Sequence, residues 1–224
     1  MSPIYIWKDR PQLDVDSLIH GSPYVEEGII CYTDGSQMKQ EDISEGPNEI
    51  RENNPRPPRV PILLGKKEDM GETGFGFLIQ KDGRPTLKHW GNLGPSATVF
   101  QAEVFAVNKA ADMIIEYEEP SEVHFYVDSQ AALLAITSVE CTSKTVYACI
   151  QALQKLIRAG YKVILHWVNA HEGHELNEEV DRLAKFGTTS QWKYEVPVSW
   201  SHIKNELGNI SCLLYTSPSP RDRG

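Results

Sequence analysis

With 224 residues, 40% of them apolar and 24% charged, the chain can build one well-cored domain plus extra segments, and its composition is that of an ordinary globular protein. It has no apolar run long enough to span a bilayer, and Met1-Ser2-Pro3-Ile4-Tyr5 shows no basic stretch followed by an apolar one, so no secretory signal is expected. Four cysteines without C-x-x-C spacing speak against a disulfide framework or a thiolate zinc site and make cytosol or nucleus the expected compartment, while a net charge of −9 is unfavourable for polyanion binding unless cations and a local basic patch offset it.

Residues 1–26 mix Pro, Asp and Glu with isolated apolar residues and read as a loosely docked N-terminal extension. A first strand is expected at about 27–33, ended by Gly35. Between 37 and 72 the composition shifts. Asn53-Asn54-Pro55-Arg56-Pro57-Pro58-Arg59 and its neighbours lack apolar period, which predicts a flexible insertion. Gly74 to Ile79 reads as a second strand, Lys81-Asp82-Gly83-Arg84 as a turn and Leu87 to Leu93 as a third strand, in an antiparallel meander. From 99 to 117 the period becomes helical, with Phe100, Val104, Val107 and Ala111 on one face and Glu103 at its margin.

Val123 to Val127 is expected as a fourth strand, followed by Asp128 and a helix capped by Asp128 or Ser129. A longer helix over 143–158, closed by Gly160, leads to a fifth strand over Tyr161–Val168. A loop over Asn169–Glu175 precedes a last helix, Leu176 to Phe186, stopped by Gly187. The order predicts an α/β fold. Its five-stranded mixed sheet has three antiparallel strands, then two parallel ones, with helices on both faces. Ligands then belong at the carboxyl ends of the parallel strands. Four acids fall where they can meet there: Asp34, Glu103, Asp128 and Asp181. Such a group stays ionised only with cations between its members.

Thr33-Asp34-Gly35-Ser36, Gln101-Ala102-Glu103, Val127-Asp128-Ser129-Gln130 and Trp167-Val168-Asn169-Ala170-His171-Glu172-Gly173, with Asn177-Glu178 and Asp181, resemble the ribonuclease H family, in order, over about residues 27–187. The variant is most similar to the domains carried by non-LTR (LINE-like) retrotransposon polyproteins. The resemblance implies a ribonuclease H-like fold and hydrolysis of the RNA strand of an RNA–DNA hybrid by a two-metal-ion mechanism using Mg²⁺, with Mn²⁺ as substitute. It implies that Asp34 bridges both ions, Glu103 and Asp128 hold one, and Asp181 holds the other. It also assigns water positioning or product release to His171, a place near the second metal to Glu178, and substrate contact to Gly35, Ser36, Gln130 and Asn177. A reverse transcriptase domain is the implied partner.

Plainer roles are open to the same residues. Glu103 can pair with Lys109, Asp128 can be only a cap, Asp181 can pair with Lys185, and His171 and His174 can be loop histidines. The run His171-Glu172-Gly173-His174 is not the zinc-protease motif, because Glu175 stands where a histidine is required. Asn169-Ala170 and His174-Glu175-Leu176 depart from the family pattern, and no basic helical protrusion is present. An alternative to the enzyme is a catalytically decayed binding remnant of a mobile element. A third reading, an integrase or junction resolvase on the same fold, is disfavoured by the Gln101-Ala102-Glu103 placement and by Asn177-Glu178. The segment 188–211 resembles the tail that follows such domains, with aromatics expected to dock on the core or on nucleic acid. Cys212 to Asp222 resembles a translated sequencing adapter, so 212–224 is set apart from the fold.

Overall fold

The computed structural model describes residues 5–6, 25, 27–38, 71–117, 120–168, 175–200, 202–204 and 207. Seven strands and four helices occur among them: β1 (Tyr5–Ile6), β2 (Ile29–Met38), β3 (Glu72–Lys81), β4 (Arg84–Gly94), α1 (Val99–Ile114), β5 (Glu122–Val127), α2 (Gln130–Thr137), β6 (Glu140–Cys141), α3 (Lys144–Arg158), β7 (Lys162–Trp167) and α4 (Glu175–Thr189). Five strands form one mixed sheet in the order β4-β3-β2-β5-β7. Strands β2, β3 and β4 run antiparallel, and β5 and β7 run parallel to β2. Helices cover both faces, so the expected fold class is the observed one. Among the described residues no helix is long and apolar enough to cross a membrane.

Alternation along β2 sorts its side chains between two cores. Ile29 and Cys31 pack with Phe77, Phe125, Val107 and Leu153 on the side of α1 and α3. Ile30 and Tyr32 pack with Leu78, Tyr126, Val180 and Leu183 on the side of α4. Each large side chain buried this way contributes about 1.5–3 kcal/mol of apolar transfer. The Asp82-Gly83 pair turns β3 into β4 with φ of 50° and 72°, as a two-residue hairpin of this hand requires.

Several expectations need correction. The first strand does not stop at Gly35 but runs to Met38, because β3 goes on offering an antiparallel partner as far as Glu72. Only the parallel side ends early, at Thr33↔Val127, which leaves Asp34 just past the last parallel pair. Gly187 does not stop the last helix, which runs to Thr189. A Cβ there would stand 2.7 Å from the Gly91 carbonyl oxygen, so this glycine lets helix and sheet touch. Ser129, not Asp128, caps α2, its Oγ accepting from the Ala132 amide at 3.3 Å.

The two-residue strands β1 and β6 pair antiparallel outside the main sheet and were not expected. In the tail, Tyr194 packs against the core while Trp192 and Trp200 are 70% exposed. Residues 1–4, 7–24 and 26 of the N-terminal extension, residues 39–70 of the insertion, the His171 loop and residues 208–224 lie outside the described residues.

Candidate active site

Helix α1 brings the second acid to the first. Thr98 caps it reciprocally with Gln101: the Gln101 amide donates to Thr98 Oγ1 at 3.1 Å, and the Thr98 amide donates to Gln101 Oε1 at 3.2 Å. The helix then lies on β2 at Gly35, so closely that a Cβ there would stand 2.6 Å from the Glu103 amide nitrogen and 2.8 Å from Ala102 Cβ. Glycine at 35 is therefore a contact requirement, and it sets Glu103 beside Asp34. The third acid, Asp128, follows the end of β5, the parallel neighbour of β2. Its carbonyl accepts from Trp167 Nε1 at 3.0 Å.

One carboxylate oxygen from each of Asp34, Glu103 and Asp128 lies within 4.8 Å of the others. Asp34 and Glu103 are buried and Asp128 is half-buried. Burial first, then the charges of Asp128 and Asp181, push the Asp34 carboxyl above its ordinary range. Glu103 is raised by burial and then by the charges of Asp34 and Asp128, and its hydrogen bond with Asp34 favours the proton on Glu103. Asp128 is also raised, mainly by burial. Asp34 Oδ1 accepts from the Gly35 amide at 2.7 Å, but Glu103 Oε2 and Asp128 Oδ1 are buried with no partner. A close carboxylate trio with buried, unpartnered oxygens suits a hard divalent cation, and it contains no nitrogen or sulfur donor.

The other expected site residues are placed less uniformly. Asp181, half-buried on α4, is close enough for its charge to raise both Asp34 and Asp128, yet it stands outside the trio and pairs with Lys185 Nζ at 2.6 Å. The plainer role is thus realised here alongside its place near the cluster. Glu103 pairs with Asp34, while Lys109 lies over the Tyr194 ring at 5.9 Å. Glu178 is exposed and lines a groove of about 390 Å³ with Leu78, Lys88, Leu176 and Arg182, a groove that none of the trio lines. Asn177 is buried on α4, Gln130 is the exposed first residue of α2, and Ser36 is half-buried one step past Gly35. His171 is outside the described residues.

Two features escaped the sequence. The amide of Gln101 reaches beyond the cap, Nε2 donating to Pro197 O at 2.7 Å and to Thr145 Oγ1 at 3.3 Å. His124 and His166 form a buried pair, Nδ1 to Nε2 2.8 Å, with His166 stacked on Tyr126 at 4.5 Å. Burial pushes His166 down to about 4. An alternating strand pattern places each histidine inward, but only the adjacency of β5 and β7 puts them together.

A five-stranded mixed sheet with helices on both faces and a carboxylate trio beside its central strand defines a nuclease domain of the ribonuclease H-like kind. A ribonuclease H family model (RNase H) matches residues 65–189, more than half of the chain. The chain belongs to the ribonuclease H family, and is a hydrolase and a nuclease. Its relatives include a ribonuclease H of Legionella pneumophila (strain Lens), 27% identical over 133 residues, 54% of this chain and 89% of that one. Another, from Erythrobacter litoralis (strain HTCC2594), is 31% identical over 134 residues, 53% of this chain and 86% of that one. Among solved structures, the prototype foamy virus protease–reverse transcriptase superposes with a TM-score of 0.51 at 16% identity, over 80% of this chain and 23% of that one. This chain spans under a quarter of that viral protein, and the likeness is one of fold. The family match starts after β2 and so does not include Asp34.

Proposed function

We propose that this domain hydrolyses the RNA strand of RNA–DNA hybrids, with two Mg²⁺ ions (Mn²⁺ as substitute) held by Asp34, Glu103, Asp128 and Asp181. The observation that carries the reading is the trio itself, with Glu103 Oε2 and Asp128 Oδ1 buried and unpartnered. Asp34, central in the sheet and influenced by both Asp128 and Asp181, would contribute to holding both ions. Glu103 and Asp128 complete one binding place. Asp181 serves the second after leaving Lys185, whose ammonium is then free to meet a phosphate. When bound, the ions supply a nucleophilic water at neutral pH and charge for the leaving oxygen.

The chain's own part is to hold four carboxylates on rigid backbone, with the pKa values of three of them, Asp34, Glu103 and Asp128, raised by burial until cations arrive. Gly35, Ser36, Gln130 and Asn177, at or beside the elements that carry the trio, are the proposed contacts to the hybrid, where a 2′-OH distinguishes RNA from DNA. Glu178 and His171 are proposed near the second ion and the product. The domain is proposed to derive from a LINE-like retrotransposon and to act in cytosol or nucleus, with a reverse transcriptase domain lending grip that a net charge of −9 does not provide.

The test is a labelled RNA–DNA hybrid incubated with the protein in Mg²⁺ and in EDTA, with double-stranded RNA and double-stranded DNA as controls. Metal-dependent cutting of only the hybrid's RNA strand is expected. A folded protein that cuts none of the substrates overturns the catalytic reading and leaves a binding remnant.

A further inference from the structure

The family match ends at residue 189, yet the chain beyond it is built into the domain. Asn92, on the outer strand β4, donates its amide to Trp192 O at 2.8 Å and accepts from the Tyr194 amide at 2.8 Å, so that Lys193 forms a parallel bridge to the sheet. Asn92 is itself fixed, its Nδ2 donating to Thr188 O and its Oδ1 accepting from the Gly94 amide. The Tyr194 ring then packs on Phe75 at 5.2 Å and on Phe105 at 5.7 Å, and its hydroxyl shares a hydrogen bond of 2.7 Å with His89 Nε2. Three residues further, Pro197 O accepts from Gln101.

The residues of α1 that meet this segment are Gln101, Phe105 and Lys109, each four apart and so on one stripe of the helix. Glu103, between the first two, points instead to Asp34. Helix α1 is thus seated on β2 at Gly35 and held along another stripe by the tail. Gln101 is buried and joins the cap of α1, the start of α3 and the tail through one carboxamide.

We propose that residues 191–197 are a strap belonging to the catalytic unit, and that Gln101 is a positioning residue through which the strap fixes Glu103. The inference rests on the reading of Glu103 as a ligand to the cation. Displacing a reacting group by about 1 Å can cost on the order of 100-fold in rate, so loss of the strap acts on the site before it acts on the fold.

The experiment compares the full chain, Gln101→Leu, a chain ending at Ser190 and the two changes combined. Amide exchange of residues 101–107 and Mn²⁺ affinity by calorimetry are measured on each, with far-ultraviolet circular dichroism as the check of folding. Both single changes should speed exchange in the first turns of α1 about 10-fold and weaken Mn²⁺ binding about 10-fold. The combination should fall short of the product of the two losses, since Gln101 acts partly through the strap and partly through its cap and Thr145. If the shortened chain does not fold, Gln101→Leu carries the test. Unchanged exchange in α1, or losses that simply multiply, overturns the strap. A full chain that binds no Mn²⁺ overturns the reading of the site instead, and the exchange rates still decide the strap.

Discussion

Replacing Asp128 by Asn separates the demands of folding from those of catalysis. Oxygens of the trio lie within 4.8 Å of one another. Two full charges at that distance repel by about 3 kcal/mol at an effective dielectric of about 20. The metal-free protein relieves most of this by leaving a proton on Glu103, whose carboxyl is raised by burial and by its two neighbours. What remains for Asp128→Asn to relieve is about 1 kcal/mol, a rise of roughly 2–4 °C in Tm for a domain of this size. Added Mg²⁺ should reverse the order, because binding to the folded state stabilises the wild type in proportion to ln(1 + [L]/Kd) and the variant has lost a ligand. Hybrid cleavage should fall by about 100-fold or more, equivalent to roughly 2.7 kcal/mol of barrier. Thermal melts in EDTA and in Mg²⁺, beside a cleavage assay, give all three quantities. Near-wild-type cleavage, or equal stabilisation of both proteins by Mg²⁺, would refute the placing of Asp128 at the cation.

Gly35→Ala puts a methyl group 2.6 Å from the Glu103 amide and 2.8 Å from Ala102 Cβ, so α1 must move. The expected cost is about 1–3 kcal/mol of stability, with at least a 10-fold loss of cleavage; unchanged melting and rate would show that the seat has slack. The His124–His166 pair gives the fold an acid limit. The folded pKa of His166 lies below its unfolded value of 6.5, so the unfolded state binds more protons in between. Its contribution is complete above pH 6.5 and is lost as the pH falls toward about 4, opposed by Glu122, whose Oε2 is 3.5 Å from His124 Nε2. Urea unfolding should show about 1 kcal/mol less loss between pH 7 and pH 5 for His166→Phe than for the wild type, after discounting for partial solvation. Equal slopes would mean that the pair does not titrate on unfolding.

What the sequence made legible follows from what local patterns encode. The main strands and helices stood out because alternation and helical period each persist over several residues, and Glu103 and Asp128 because each sits at a fixed step from such an element. Gly35 and Gly187 were misread for one shared reason. A glycine that ends an element and a glycine that admits a neighbouring backbone look alike in one sequence, and only the packing of α1 on β2 and α4 on β3 and β4 tells them apart. Strands β1 and β6, two residues each, are too short for any period to show. The His124–His166 contact spans 42 positions and depends on strand order, and so does the reach of Gln101 to Pro197 across 96.

The site is held by backbone on three separate elements: β2 for Asp34, α1 for Glu103 and the end of β5 for Asp128. Each of these elements is fixed by its own packing, so the three carboxylates are kept close against their mutual repulsion. The proton on Glu103 and the ion pair of Asp181 with Lys185 are then counter-charges of the same kind, each occupying an acid of the proposed cation site. On the proposed reading a cation displaces both, and its affinity then depends on how firmly α1 keeps Glu103 in place. The packing of the tail against α1 and the chemistry of the trio are for that reason parts of one balance, although the family model matches only residues 65–189.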